Sequence, residues 1–140
     1  MRSGWPRVGE NDGRVACPAV YRRILVGTDG SATAALAVAR AAEVATATGA
    51  TLTVLTAGSG PRAEQAAASA ARELGDGIRV EAKVRAGDPA TVLVDEAAAG
   101  YDLLVVGNRG MTGASRFLLG SVPNKVSHSS PCPLLIVRTT

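Results

Sequence analysis

The chain has 140 residues, of which 46% are hydrophobic and only 3% aromatic, so we expect one domain with a core of Ala, Val, Leu and Ile. Its formal charge is +3, but five basic residues lie in residues 1–23, while residues 24–140 carry ten basic and ten acidic groups. Because the sequence has no basic stripe with interleaved aromatic residues, we exclude nucleic acid as a partner.

The first predicted element begins after a long irregular stretch. Residues 1–20 show no periodicity, which predicts a flexible N-terminal extension. Ile24–Val26 is an apolar run that predicts a strand, and it ends in the turn Gly27-Thr-Asp-Gly30. Ser31 is a suitable N-cap and Gly49 a suitable C′ residue, so we predict a helix between them.

The same alternation continues through the middle of the chain. Leu52–Ala57 is a second predicted strand. Pro61 then opens a helix that ends before Gly75, since proline suits the first helical turn and glycine the residue after the last one. Ile78–Arg85 alternates apolar and polar residues, as a half-exposed edge strand does.

The third helix is predicted from its start signal. Asp88 and Pro89 form an N-cap followed by an N1 proline, and the helix is expected to run to about Ala99. Its residues Asp95 and Glu96 are interpreted as a solvated face. The remaining elements are a buried strand, a helix and an apolar last strand, at Leu103–Val106, Val122–Ser129 and Leu134–Val137.

This order of elements predicts an α/β fold: a single-domain, open, parallel five-stranded sheet with helices on both faces. Ligands of such sheets bind at the carboxyl ends of the strands, where the strand order reverses. The turns Gly27–Gly30 and Gly107–Gly110 both follow predicted strands. If these strands are the adjacent central pair, the two turns flank one crevice.

The second glycine segment has the composition of an anion-binding site. It reads Gly107-Asn-Arg-Gly110, then nine residues, then Gly120-Ser121. Glycine lets a backbone approach a ligand closely. A glycine and a serine at a helix start add amide and hydroxyl donors at the positive end of that helix. The segment therefore predicts a site for nucleotide phosphates.

Three segments together resemble the universal stress protein family. They are Ile24-Leu-Val-Gly-Thr-Asp-Gly-Ser31, Gly87-Asp-Pro89, and Val105-Val-Gly-Asn-Arg-Gly110 with Leu119-Gly-Ser-Val122. The pattern G-x2-G-x9-G-[S/T], which marks the ATP-binding branch of the family, is complete. The resemblance implies that residues 21–140 form a universal stress protein domain with an adenine nucleotide alpha hydrolase-like fold.

The resemblance also implies roles for individual residues. Asp29 would accept a hydrogen bond from the edge of adenine, and Gly27, Thr28 and Ala57 would line the base. Gly107 would lie near the ribose. The phosphates would contact residues of the second glycine segment and the following helix start, namely Gly110, Gly120, Ser121 and Val122.

Some of these residues keep two interpretations. Arg109 and Arg116 either add positive charge beside the phosphates or point into solvent. Asp29 either binds the base or stabilises its own turn, since Asp-Gly is ordinary turn chemistry. His128, the one histidine, has no assignable catalytic partner and is expected to be exposed near a helix C-terminus.

One departure from the family concerns the connection after the second strand. The family usually has a longer connection there, whereas this chain has only about Gly58–Pro61, which implies a shallower site and weaker binding. The segment Gly58-Ser-Gly60-Pro-Arg-Ala63 also matches a loose dinucleotide-binding fingerprint. Pro61 removes an amide that a pyrophosphate would use, so we interpret the segment as a short connector.

The main functional prediction is a regulatory protein that binds ATP or another adenine nucleotide, such as AMP or cyclic AMP, and the resemblance implies a role in the stress response. Whether Mg²⁺ accompanies the nucleotide stays open. The alternatives are a slow ATPase, for which no water-activating base can be named, and a non-binding dimeric signalling module. No catalytic residue or protein metal ligand is assigned. The resemblance implies a homodimer through the last strand, whose apolar edge favours pairing.

The remaining features concern the compartment of the cell. Cys17 and Cys132 form neither a metal-binding spacing nor a disulfide framework. No apolar run approaches the length of a membrane span, and the N-terminus has no uninterrupted hydrophobic region of a signal peptide. We therefore expect a cytoplasmic protein without a membrane partner.

Overall fold

The computed structural model describes residues 21–108 and 121–139. Within them, strands and helices alternate as predicted. The strands are β1 (Arg23–Gly27), β2 (Thr51–Ala57), β3 (Val80–Arg85), β4 (Leu103–Gly107) and β5 (Leu134–Val137), and the helices are α1 (Ala32–Thr48), α2 (Gly60–Arg72), α3 (Pro89–Ala97) and α4 (Ser121–Ser129). The predicted N-terminal extension, residues 1–20, lies outside the described residues.

The five strands form one parallel sheet in the order β3-β2-β1-β4-β5, which confirms the predicted fold class. In the central strand, Ile24 lies opposite Leu52 on one side and Leu103 on the other. The chain runs outward from β1 to β3 and then crosses back to β4 on the far side of β1. The strand order therefore reverses between β1 and β4, where ligand crevices of such sheets open.

Side chains of the central strands alternate between two apolar cores. Ile24 and Val26 point towards α1, where the contact residues Ala37 and Ala41 are small enough for a close approach. Leu25 points to the opposite face, which α3 and α4 cover. Each of these strand side chains is fully buried, and full burial of such a side chain contributes about 1.5–3 kcal/mol.

The helix ends follow the predicted caps. Ser31 Oγ accepts a hydrogen bond from the Ala34 N–H at 3.1 Å, and Gly49 ends α1 with a φ of 74°. Asp88 Oδ2 accepts from the Thr91 N–H at 3.2 Å at the start of α3. α3 ends two residues earlier than predicted, because the chain turns there towards β4.

The two edge strands of the sheet differ in character. β3 is largely exposed, and its charged residues Glu81, Lys83 and Arg85 lie on the face that α3 covers. β5 forms the other edge, and its residue Leu135 is 36% exposed. Both edge positions agree with the sequence. No helix in the described part of the chain combines the length and hydropathy that a membrane span requires.

The prediction that Asp95 and Glu96 share a solvated face is wrong for Glu96. Asp95 is exposed, but Glu96 is only 5% exposed. The reason is that Glu96 faces β3, where Lys83 and Arg85 reach its carboxylate. Because Lys83 and Arg85 are paired with it, the Glu96 carboxylate can be buried without a large loss of stability.

Candidate functional site

A cleft of about 340 Å³ opens at the carboxyl ends of β1, β2 and β4, on the face that α3 and α4 cover. Seven of the ten predicted site residues line it, namely Gly27, Thr28, Asp29, Ala57, Gly107, Ser121 and Val122. The other three, Arg109, Gly110 and Gly120, lie outside the described residues. Because β1 and β4 are adjacent, the turn after β1 and the end of β4 flank one crevice, as predicted.

The turn after β1 is held by its own hydrogen bonds. The Thr28 N–H donates to the Leu55 carbonyl at 2.9 Å, and Thr28 Oγ1 accepts from the Gly30 N–H at 3.1 Å. Asp29 Oδ1 accepts from the Ser31 N–H at 2.9 Å, so the alternative turn-stabilising role of Asp29 is confirmed. Asp29 is nevertheless exposed in the cleft, and a carboxylate has two oxygens that accept hydrogen bonds.

One wall of the cleft comes from α3. Leu93 and Pro89 face the cleft together with Leu55 and Ala57 of β2. Gly27 lets this wall approach β1, since a Cβ on Gly27 would lie only 3.0 Å from Leu93 Cδ1. The result is an apolar half of the cleft between β2 and α3.

The opposite end of the cleft is formed by β4 and α4. The Asn108 N–H donates to the Val137 carbonyl at 2.8 Å. Asn108 Oδ1 accepts from the N–H and the hydroxyl of Thr139, each at 2.9 Å. These bonds fix the chain just after Gly107 against the end of β5.

α4 begins at the rim of the cleft. The first N–H groups of a helix have no partner within the helix, and they carry the positive end of its dipole. Ser121 and Val122 have such groups, whereas Pro123, which also lines the cleft, has no N–H to donate. Two main-chain donors and the Ser121 hydroxyl therefore lie where an anionic group would fit.

The described part of the cleft has few groups for catalysis. Asp29 is the acidic residue among its lining residues, and His128 lies exposed in the last turn of α4, as expected. In residues 21–108 and 121–139, no group of three or more His, Cys, Asp and Glu side chains is arranged to hold a metal ion.

A second, larger hollow of about 470 Å³ lies between α1 and α2. It shares Thr28, Asp29 and Ser31 with the first cleft, but its walls are helical and include Arg62 and Glu73. It lies away from the end of β4, so the second glycine segment does not border it in the described residues. The first cleft, at the reversal of strand order, is the better candidate.

Sequence reasoning missed several lining residues. Those contributed by α3, Pro89 and Leu93, had one signal: the N1 proline marks a helix that starts at the carboxyl edge of the sheet. The other lining residues that were not predicted are Ser31, Ala34, Leu55, Val106 and Pro123.

Comparison with known proteins identifies the family. The model of the universal stress protein family matches residues 20–138. The chain belongs to this family. The predicted resemblance is therefore confirmed.

Individual relatives agree with this assignment. Universal stress protein MT1672 of Mycobacterium tuberculosis is 36% identical over 146 residues, which cover 86% of this chain and 98% of the relative. Universal stress protein YxiE of Bacillus subtilis is 44% identical over 63 residues, 44% of this chain, so this match spans only 43% of that relative. A crystal structure of a universal stress protein in complex with cAMP superimposes with a TM-score of 0.69 at 36% identity, covering 86% of this chain and 98% of that one.

Proposed function

We propose that this universal stress protein binds an adenine nucleotide, principally ATP, in the cleft between β1 and β4, and that it acts as a cytoplasmic stress-response regulator rather than as an enzyme. The observation that carries this proposal is the division of the cleft lining into an apolar half and a half rich in main-chain and hydroxyl donors. A nucleotide has the same division, with a flat base at one end and anionic phosphates at the other.

The apolar half suits the base. Leu55, Ala57 and Leu93 offer surfaces for the faces and edge of adenine. Asp29 lies at the rim with a carboxylate that accepts a hydrogen bond from the exocyclic amino group. The cAMP bound in the related crystal structure carries the same base, which supports an adenine ligand here.

The donor-rich half suits the phosphates. Ser121 and Val122 lie at the N-terminus of α4, where amides and the helix dipole favour negative charge. We assign Arg109, Gly110 and Gly120 to the same function from the glycine pattern. Since Asp29 is the acidic residue of the described lining, any accompanying Mg²⁺ would be held mainly by the phosphates.

Titration calorimetry with ATP, AMP and cyclic AMP tests the proposal. We expect heat of binding with ATP, and the absence of measurable heat with all three ligands at millimolar concentration would refute an adenine-nucleotide site. Ser121→Ala should weaken ATP binding by about ten- to a hundredfold, because a hydrogen bond to a charged group contributes about 1.5–3 kcal/mol. Ser127→Ala is the matched control on the same helix, since Ser127 is exposed and donates to its own helix at Asn124.

Asp29→Asn separates the two roles of Asp29. The amide oxygen of asparagine can still accept from Ser31 and keep the turn. Its NH₂ group, however, would face the amino group of adenine, and two donors do not bind each other. We expect weaker ATP binding with an unchanged unfolding temperature. Equal affinity of this variant and the wild type would remove Asp29 from the base site.

A homodimer through β5 completes the proposal. β5 is an edge strand, and Leu135 on it is exposed, which supports pairing with a second copy. Light scattering at micromolar concentration should give the mass of two chains, and Leu135→Lys should give one. A monomeric wild type would contradict dimerisation.

Two alternative functions are separated by the same protein samples. A dimer that gives no heat with any nucleotide would favour the non-binding signalling module. For the slow ATPase, we expect no more phosphate release from the wild type than from Gly110→Val, in which a branched side chain occupies the place that the glycine pattern assigns to phosphate. Release well above this control would favour the ATPase.

A further inference from the structure

A buried carboxylate connects α3 with the outer part of the sheet. Glu96, 5% exposed, accepts hydrogen bonds from Lys83 Nζ at 2.8 Å, from Arg85 NH1 at 3.0 Å and from the Tyr101 hydroxyl at 2.9 Å. A carboxylate removed from water is costly unless such donors surround it. The three donors therefore allow Glu96 to lie on the face of α3 that packs on the sheet.

The network extends from α3 to three neighbouring strands. Lys83 and Arg85 belong to β3, and the Tyr101 hydroxyl lies 3.2 Å from Thr53 Oγ1 on β2. The guanidinium carbon of Arg23, on β1, lies 4.3 Å from the centre of the Tyr101 ring, which is the geometry of a cation–π contact. Glu96 is thus the junction of a polar network beneath α3.

This network lies next to the proposed base site. In the register of β2 and β3, Lys83 is opposite Leu55 and Arg85 is opposite Ala57. At these two positions, the face of the sheet under α3 therefore changes from apolar at β2, which borders the cleft, to cationic at β3. The side of α3 nearer to β1 packs on apolar side chains, whereas the side nearer to β3 is held by Glu96.

The position of α3 in turn sets the width of the cleft. Leu93 lies three residues before Glu96, on the same side of the helix, and forms the cleft wall. A Cβ on Gly27 would be 3.0 Å from Leu93 Cδ1, so this wall already stands at the limit of approach to β1. A small displacement of α3 would therefore change the space available to the base.

We propose that Glu96 is a positioning residue for the base half of the nucleotide site: by tying α3 to Lys83 and Arg85 of β3, and through Tyr101 to β2, it fixes the Leu93 wall at the distance from β1 that the base requires. This inference rests on the proposed nucleotide site. It assigns a function to a residue that does not itself line the cleft.

The ionisation of the network agrees with this role. Burial alone would raise the pKa of Glu96, but the hydrogen bonds from Lys83, Tyr101 and Arg85 outweigh it and leave the pKa below its ordinary value. The hydrogen bond with Glu96 raises the pKa of Lys83. The charges that hold α3 are therefore present at neutral pH.

Glu96→Gln is the direct test, because it keeps the shape of the side chain and an oxygen that accepts from Tyr101. Lys83 and Arg85 lose their anionic partner and are 45% and 42% exposed, so water solvates them without unfolding the domain. Calorimetry should show that the affinities for adenosine and for ATP fall by the same factor, about fivefold. A factor of this size is typical of the coupling between residues in contact. Glu43→Gln, which breaks the exposed Arg40–Glu43 pair on α1, is the matched control and should bind both ligands normally.

The ratio of the ATP affinity to the adenosine affinity distinguishes this role from a direct phosphate contact. Glu96→Gln should leave the ratio unchanged, whereas Ser121→Ala should lower it. If Glu96→Gln does not fold, Tyr101→Phe provides the same test, since it removes the hydroxyl contacts with Glu96 and Thr53 and should weaken both ligands about twofold.

The outcomes separate this inference from the proposed function. Failure of the wild type to bind either ligand would overturn both. If the wild type binds the ligands and the folded Glu96→Gln or Tyr101→Phe variant binds them with the same affinity, the positioning role alone is overturned, even if the unfolding temperature of the variant is lower. An equal loss of adenosine and ATP affinity, absent from Glu43→Gln, would support it.

Discussion

Replacement of Gly27 by alanine tests the close contact between β1 and α3. A Cβ at this position would lie 3.0, 3.1 and 3.6 Å from Cδ1, Cδ2 and Cγ of Leu93. Carbon atoms in good contact are about 3.5–4.0 Å apart. Gly27 is not among the glycines with positive φ, so alanine brings no backbone strain. Leu93 must therefore move, and the cleft is the space into which it can move.

Two opposing effects set the expected change in the free energy of unfolding of Gly27→Ala. Overpacking in a core costs about 1–3 kcal/mol. Alanine recovers about 0.4–1 kcal/mol, because it restricts the unfolded chain more than glycine does. The net loss of stability is then about 1 kcal/mol, which lowers the unfolding temperature of a domain of this size by about 3–6 °C. Because the displaced Leu93 narrows the base half of the cleft, ATP should also bind more weakly.

Thermal unfolding of a double-mutant cycle with Leu93→Ala provides the measurement. Leu93→Ala alone should cost about 2–5 kcal/mol through the cavity it leaves. In that background Gly27→Ala meets no leucine, so its own cost should disappear and the two changes should be non-additive by about 1 kcal/mol. An equal cost of Gly27→Ala in both backgrounds would refute the contact.

Gly77→Ala is the matched control for this cycle. A Cβ on Gly77 would meet no atom within 4 Å, and its φ is not in the left-handed region. We expect its unfolding temperature and ATP affinity to equal or slightly exceed those of the wild type.

Two further predictions concern stability and are checked by urea denaturation. Ser31→Ala should cost about 1 kcal/mol, because it removes the side-chain cap of the Ala34 N–H at the start of α1, and an unchanged midpoint would contradict that role. The wild type should be more stable than Glu96→Gln at pH 7. Since folding lowers the pKa of Glu96, this advantage is complete above the ordinary pKa that a glutamate has in the unfolded chain, and it declines as the pH falls through the lower folded-state pKa. A difference that stays constant from neutral to strongly acidic pH would count against the network.

The fold could be predicted because local signals mark its element ends. Ser31 and Gly49 bound α1, and Asp88 with Pro89 starts α3, each through a side chain or a backbone conformation that suits a helix end. Leu134–Val137 is uninterrupted by any polar residue and is the strand that the sequence predicts. Such signals lie within a few residues of the features they specify.

Much of the site could be predicted for a related reason. The glycine turns follow strands, and a parallel sheet places strand ends at one edge, so Gly27 and Gly107 meet in the cleft. The α3 wall could not be predicted, because the rotation of a crossover helix depends on its packing. The environment of Glu96 could not be predicted either, since its partners Lys83 and Arg85 lie on β3 and reach it through the packing of α3 on the sheet.

The contrast between the two outer strands limits how copies of this protein can assemble. A flanking strand that presents Glu81, Lys83 and Arg85 resists the approach of a further β-segment, because desolvating alternating charges is unfavourable. The uncharged Leu134–Val137 strand offers no such resistance. In the dimer proposed above, a symmetric contact through this strand would cover the exposed β5 edge of both molecules. Assembly by this route would therefore close at a pair and would not continue into fibres.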